Sequence, residues 1–123
     1  MVNKRQKFGK ESESKAVRHL KKNGYKILER NFRTQLGEID IIAKDKGTLV
    51  FVEVKAKRSD RFGNPKEAVT PKKQRKISQV ALHYLKATNQ NHVKARFDVV
   101  AISSTRDNST IEIVKNAFEL AYI

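Results

Sequence analysis

A chain of 123 residues has the length for one domain, and without cysteine it has no disulfides, thiolate zinc sites or thiol nucleophiles. Its 27 lysines and arginines outweigh 13 acids for a net charge of +14, which makes a polyanion the first partner to consider. The polar start Met1 to Lys7 leads into no apolar run and no stretch is long enough to span a membrane, so neither a signal peptide nor a membrane association is expected and the cytoplasm is the expected location.

Residues 1–8 read as a basic N-terminal arm of a single domain covering 1–123. From about Gly9 to Asn23, Glu13, Ala16, Val17 and Leu20 recur at helical spacing, and Asn23-Gly24 is a helix stop. Tyr25 to Phe32 reads as a strand, Thr34 to Gly37 as a turn. Two apolar strands follow at roughly 37–44 and 48–57, joined by a short turn whose centre is Lys46-Gly47. Ser59 to Pro65 is a loop by composition. Thr70 as N-cap and Pro71 at the first helical position open a long helix with the stripe Ile77, Val80, Ala81, Tyr84, Leu85, ending near Thr88-Asn89. Arg96 to Ser103 and Ile111 to Val114 are the last strands, and 115–123 is a tail with a short helix over Ala117 to Tyr122. Strands apolar on both faces need cover on both sides. The long helix permits a parallel crossover. The expected architecture is α/β, a mixed five-stranded sheet flanked by helices.

Apolar strands rarely carry acids, yet the two central ones carry Asp40, Glu53 and Lys55. Side chains alternate along a strand, which places Glu53 and Lys55 on one face with Leu49 and Phe51. If Lys46-Gly47 is a two-residue turn, Lys44 pairs with Leu49, Ala43 with Val50, and Asp40 lies opposite Glu53; a register slipped by one residue is the alternative. Two opposed carboxylates destabilise a hairpin, and a divalent cation removes that cost. Mg²⁺ or Mn²⁺ suits one or two carboxylates, waters and phosphate oxygens. The backbone carbonyl of Val54 is available beside the pair as a further ligand. Lys55 could orient or activate a water, or stabilise charge on a phosphate. Glu13 shares its helix stripe with Ala16 and Val17, points toward the sheet, and could complete the metal site. Removing one acid should then relieve repulsion, so that Asp40→Ala without metal is neutral or stabilising.

The positive charge is uneven. Between Lys55 and Lys76 nine basic residues face only Asp60 and Glu67, half of the net excess in under a fifth of the chain. Lys57, Arg58, Arg61, Lys66, Lys72, Lys73 and Lys76 are the candidates for holding a nucleic-acid backbone. With no base-reading element in view, recognition would be of shape and backbone. Three bland readings stand beside this one: a salt-bridge cluster in which Lys55 neutralises the acids, a solvated Glu13 near a helix N-terminus, and a basic face that serves solubility or docks on ribosome or membrane.

The spacing Asp40…Glu53-Val54-Lys55 resembles the core motif of the restriction-endonuclease-like superfamily. More closely, Gly24-Tyr25, Glu29-Arg30-Asn31, Gly37-Glu38-Ile39-Asp40, Phe51 to Lys55, Glu67-Ala68-Val69, Lys73 and Arg96 to Val100 resemble the YraN-like family. That bacterial family is regarded as predicted endonucleases, distantly similar to archaeal Holliday-junction resolvases. The resemblance runs from about Gly9 to Ile102. It implies a restriction-endonuclease-like fold, Asp40 and Glu53 as metal ligands, Lys55 as the catalytic lysine and Glu13 as the helical acid, with Ser12 where the family usually has Gly. Glu38 would be a site-edge acid or an arginine partner. Lys73 would begin the crossover helix near the phosphates, with Gln74 a neighbour. The implied activity is Mg²⁺- or Mn²⁺-dependent cleavage of DNA, branched or otherwise structured; the alternative is a nucleic-acid-binding module on the same scaffold that does not cut. Resolvase-like chemistry implies a homodimer, although no surface seam is readable in the sequence.

The remaining candidates are weaker. His19, His83 and His92 read as ordinary surface or structural residues, Tyr25, Tyr84 and Phe97 as core, and Asp98 as the ion-pair partner of Arg96. Phe62, beside Arg61, is the one aromatic placed to meet a nucleic acid. No phosphate-cradling glycine-rich loop with a following lysine is present, which argues against nucleotide hydrolysis.

Overall fold

The computed structural model describes residues 3–58, 69–105 and 107–120. Helix α1 (Lys4–Lys22) is followed by strands β1 (Lys26–Thr34), β2 (Gly37–Asp45) and β3 (Thr48–Lys57). Helix α2 (Pro71–Ala87) and strands β4 (Ala95–Ser104) and β5 (Ser109–Phe118) complete the order. The strands form one sheet in the order β1-β2-β3-β4-β5. Only β3 and β4 run parallel; the other neighbours are antiparallel. The expected mixed five-stranded sheet between helices is what is found.

Period-two alternation divides the core into two clusters. Leu49 and Phe51 of β3 and Phe97 and Val99 of β4 pack under Ile77, Val80, Ala81 and Tyr84 of α2. Val50, Val52, Val100 and Ile102 pack on the opposite face under Ala16, Val17 and Leu20 of α1. Each fully buried side chain of this size contributes roughly 1.5–3 kcal/mol. The aromatic rings of the α2 layer add edge contacts, Tyr84 meeting Phe32 and Phe51 at centroid distances of 5.2 and 5.9 Å.

Lys46 (φ 50°) and Gly47 (φ 86°) make the two-residue hairpin turn between β2 and β3. The pairs Lys44↔Leu49, Ala43↔Val50 and Ile41↔Val52 follow from it, in the register expected. Thr70 caps α2 by accepting the Lys73 N–H at 3.2 Å, with Pro71 in the first turn. Beyond its end Asn89 adopts φ 55°.

Two expectations at the chain's ends need correction. Residues 4–8 are not an arm: α1 begins at Lys4, where Asn3 caps it by accepting the Gln6 N–H at 2.8 Å. The tail is not helical where it is described: β5 continues through Lys115 and Asn116 to Phe118, whose ring stacks on Phe97 at 4.8 Å. The strand survives its polar stretch because Asn116, at φ 52°, sits in a register shift and donates its N–H to Asp98 at 2.9 Å.

Candidate active site

Asp40 lies where the sheet opens. On one side the pairs Arg30↔Ile41 and Phe32↔Ile39 leave Asn31 across from it, and Asn31 has φ 54°. On the other side the β2–β3 pairing stops at Ile41↔Val52, one step short of Asp40 and Glu53. In place of a further ladder bond, the Val54 N–H donates to the Asp40 carboxylate at 2.8 Å. Alternation also breaks here. Ile39 packs with Ile42 in the α2 layer, whereas Ile41 packs with Ala43 in the α1 layer. Asp40 therefore has neighbours from both layers, Glu13 of α1 and Lys73 of α2 among them.

Carboxylate oxygens of Glu13, Glu38 and Asp40 lie within 4.8 Å of one another. With its amide nitrogen turned to the acids, Asn31 donates to Glu13 at 3.1 Å and to Glu38 at 2.9 Å. Arg33 holds the Glu38 carboxylate from the solvent side at 3.2 Å. Burial pushes the Glu13 carboxyl above its usual range, opposed by the Asn31 hydrogen bond. The Asp40 carboxyl is pushed up to about 7, by burial first and by the charge of Glu53 second.

Glu53 is turned to the lysines. Its side chain is 5% exposed, and its Oε1 holds the Lys73 ammonium at 2.7 Å and the Lys55 ammonium at 4.0 Å. Burial and the neighbouring Lys73 lower the Lys55 pKa. Burial is the largest single influence on Lys73 and works against its charge, but the hydrogen bond it donates to Glu53 and the negative charges of Glu53 and Asp40 together outweigh it and the pKa rises. A cleft of about 480 Å³ opens over these groups, lined by Glu38, Asp40 and Glu53 below and by Lys72, Lys73 and Lys76 along the first turns of α2. Gly37 forms part of its wall at φ 153°, with Val80 of α2 3.5 Å from where a Cβ would stand.

The structure thus gathers Asp40, Glu53, Lys55 and Glu13 into one region, as the sequence suggested, brings Glu38 to them and adds Asn31. Glu38 joins the acids while also pairing with an arginine, so both of its expected positions hold together. Asn31, in the sequence no more than part of a motif, links Glu13 to Glu38. Its signal was available in principle, since Asn tolerates positive φ better than most residues. Of the basic candidates, Lys72, Lys73 and Lys76 reach the cleft. Lys57 and Arg58 stand exposed at the end of β3 and beyond it, with Arg58 over the Phe8 ring at 4.4 Å. Arg61, Phe62 and Lys66 lie outside the described residues. Gln74 turns back on its own cap and donates to the Val69 carbonyl at 2.9 Å.

Away from the cleft, Asp98 is the structural partner expected of it. Fully buried, it accepts from Arg96 at 2.9 Å and from the Tyr25 hydroxyl at 2.8 Å. Arg96 reaches on to Asp45 at 2.6 Å, where Lys115 stands at 3.3 Å. His83 and His92 are exposed and His19 half-buried, in keeping with surface roles. No helix among the described residues is long and apolar enough to cross a membrane.

Among the described residues, a mixed sheet covered by one helix on each face, with acids where β2 and β3 part, defines a restriction-endonuclease-like α/β fold. The model of the uncharacterised protein family UPF0102 matches residues 12–102. The chain belongs to that family, which is the YraN family its motifs resemble. The UPF0102 protein of Desulfosudis oleivorans is 56% identical over 119 residues, covering 97% of this chain and 95% of the relative. That of Syntrophus aciditrophicus is 52% identical over 114 residues, covering 93% and 90%. That of Geobacter metallireducens is 51% identical over 115 residues, covering 94% of each. Among solved structures, the crystal structure of SSO0001 is similar over 91% of this chain and 52% of its own, at 15% identity and a TM-score of 0.35.

Proposed function

We propose that this chain is a Mg²⁺- or Mn²⁺-dependent nuclease that hydrolyses phosphodiester bonds of DNA. The observation that carries the reading is the juxtaposition at Asp40. Carboxylates of Glu13, Glu38 and Asp40 converge there, with Glu53 close enough to raise the Asp40 pKa, under a rim of lysines. An all-carboxylate donor set is hard and oxygen-rich, which fits Mg²⁺ or Mn²⁺ and not a soft metal. Burial first, and the charge of Glu53 second, raise the Asp40 pKa, and a divalent cation offsets both.

Asp40 and Glu53 would hold the ion, with Glu13 beside them. In an extended strand the C=O of a residue leaves on the same edge as its N–H. The Val54 N–H donates to Asp40, which supports its carbonyl as an assisting ligand. When bound, the ion would polarise a phosphoryl oxygen and make its water acidic enough to attack at neutral pH. Lys55, with its pKa lowered by burial and by Lys73, would orient the attacking water or take its proton. Lys72, Lys73 and Lys76 would hold phosphates at the cleft mouth, and Lys57 and Arg58 would extend that contact.

One observation favours the second reading, a nucleic-acid-binding module that does not cut. The Lys73–Glu53 ion pair at 2.7 Å already satisfies one of the acids. The deciding experiment incubates linear, nicked, flapped and four-way DNA with the protein, with and without Mg²⁺ or Mn²⁺, beside Asp40→Ala and Glu53→Ala. Metal-dependent cutting that vanishes in both variants is the expected result. Binding with no metal-dependent cutting on any substrate sinks the enzyme reading in favour of the module.

A further inference from the structure

The outward face of α1 breaks two local rules at once. Lys4, Lys7, Lys15, Arg18 and Lys22 are all exposed. At 100° per residue they fall in a stripe roughly 80° wide. Only Glu11 joins them there with a negative charge. Ala16, Val17 and Leu20, on the opposite side of the helix, face the core. Like charges three and four residues apart destabilise a helix. Cations in its first turn also oppose the helix dipole, and the first turn of α1 has no acid. Among the described residues none of the five forms an ion pair, and Glu11 is the one acid in the stripe to offset their repulsion. Where α1 meets the edge strand β5, Lys15, Arg18 and Lys22 border a hollow of about 250 Å³ with Ser109 and Ile111 at its back.

We infer that this stripe is a second binding surface for a nucleic-acid backbone, separate from the cleft. It runs about 27 Å along the helix, the length of some eight phosphates of one DNA strand. Glu13, which faces the acids of the cleft, lies on the far side of the same helix, about 10 Å away through its body. Lys72, Lys73 and Lys76 belong to α2, on the other face of the sheet. A straight duplex held by those lysines lies against the face of the sheet opposite α1. Two duplex segments that meet at an angle, as in a junction or a sharp bend, would fill both surfaces together. The inference needs nucleic-acid binding but not cleavage, so it stands or falls apart from the nuclease reading.

The test is fluorescence anisotropy in EDTA with a short straight duplex and a four-way junction, across a salt series. It compares the native chain with Lys15→Gln/Arg18→Gln/Lys22→Gln and with Lys72→Gln/Lys76→Gln, after circular dichroism confirms folding. The α1 variant should bind the junction at least tenfold more weakly. Its slope of log affinity against log salt should be shallower by about 2–3, at ~0.9 for each phosphate no longer neutralised. Its preference for junction over duplex should disappear. The α2 variant should weaken both DNAs. An α1 variant with native affinity, slope and junction preference overturns the inference. So does an α1 variant whose only deficit is in binding phosphatidylglycerol vesicles, which would make the stripe a membrane-binding face. Failure of the native protein to cut any DNA in metal would end the nuclease reading and leave these binding results as they are.

Discussion

Asp40 shows how one residue can be costly to the fold and fitted to a site. Its carboxyl titrates near 7 in the folded chain against 3.8 for the free group, because burial and Glu53 disfavour its charge. The folded state therefore holds the proton more tightly than the unfolded state. The stability linked to Asp40 is fully present below about pH 4 and is lost as pH rises toward 7. Three pKa units set an upper limit of about 4 kcal/mol on that loss. Urea titrations of metal-free protein across this range should show the slope, and Asp40→Asn should flatten it. Asn is the informative substitution. Ala removes the acceptor of the Val54 N–H along with the charge, so the relief of repulsion anticipated for Asp40→Ala is offset by an orphaned donor. The same proton competes with a divalent ion, so Mn²⁺ affinity measured by calorimetry should rise from about pH 6 to pH 8 and lose that dependence in Asp40→Asn. A pH-independent affinity in the native chain would remove Asp40 from the ligand set. Asn31 supplies the companion case. Its amide spans Glu13 and Glu38 from a left-handed backbone position. Outer partners of metal ligands are worth roughly 10–100-fold in affinity, and Asn31→Ala should weaken Mn²⁺ binding by about tenfold with little change in fold.

At the scale of elements, the buried network around Arg96 ties β4 to its neighbours. Arg96 pairs with Asp98 on its own strand and with Asp45 at the end of β2, while the Tyr25 hydroxyl and the Asn116 N–H complete the ligation of Asp98. Arg96→Met strands two buried carboxylates at once. Breaking a buried ion pair on one side typically costs 3–5 kcal/mol, and a loss of that size in urea unfolding is expected, with no change in Mn²⁺ affinity. A loss below about 1 kcal/mol would mean that Lys115 compensates. This network also marks what was legible. Arg96 and Asp98 stand two apart in one strand, so their pairing could be read from the sequence. Asp45, Tyr25 and Asn116 are brought in by the sheet and could not. Helix α2 was readable almost to the residue, because Thr70, Pro71 and a clean apolar stripe all agree. The start of α1 was not, because its first turns carry lysines and no apolar period, and the Asn3 cap emerges only in the structure. Strand β5 was shortened for a like reason, since Lys115-Asn116 breaks the pattern where a register shift lets the strand continue. In the candidate site, Asp40, Glu53 and Lys55 stood out as charges on apolar strands. The approach of Glu38 to Glu13 depends on the break in alternation at Asp40 and on the Asn31 backbone, neither of which periodicity reveals.

For the molecule as a whole, the charge of +14 acts in opposite directions on folding and on binding. Self-repulsion among unpaired cations destabilises a compact chain. Of the ion pairs formed among the described residues, three converge on the Arg96 network and two on Glu53. The α1 stripe, Lys72 and Lys76 are left facing solvent. Salt screens such exposed charges within about 10 Å at 0.1 M and buried pairs much less. Raising salt from about 50 to 200 mM should therefore raise the melting temperature of the free protein, because it relieves repulsion more than it weakens the internal pairs. The same change should lower DNA affinity by about 10³-fold or more if six phosphates or so are neutralised across the two surfaces. With DNA present the sign reverses. A ligand that binds only the folded state stabilises it by RT ln(1 + [L]/Kd), and that term collapses as salt raises Kd. Thermal melts with and without a DNA junction should then converge as salt increases: the free curve climbs, the bound curve falls, and the two meet where binding ends. Parallel curves would show that the cations are spread for solubility alone, and both phosphate-binding surfaces would have to be given up together.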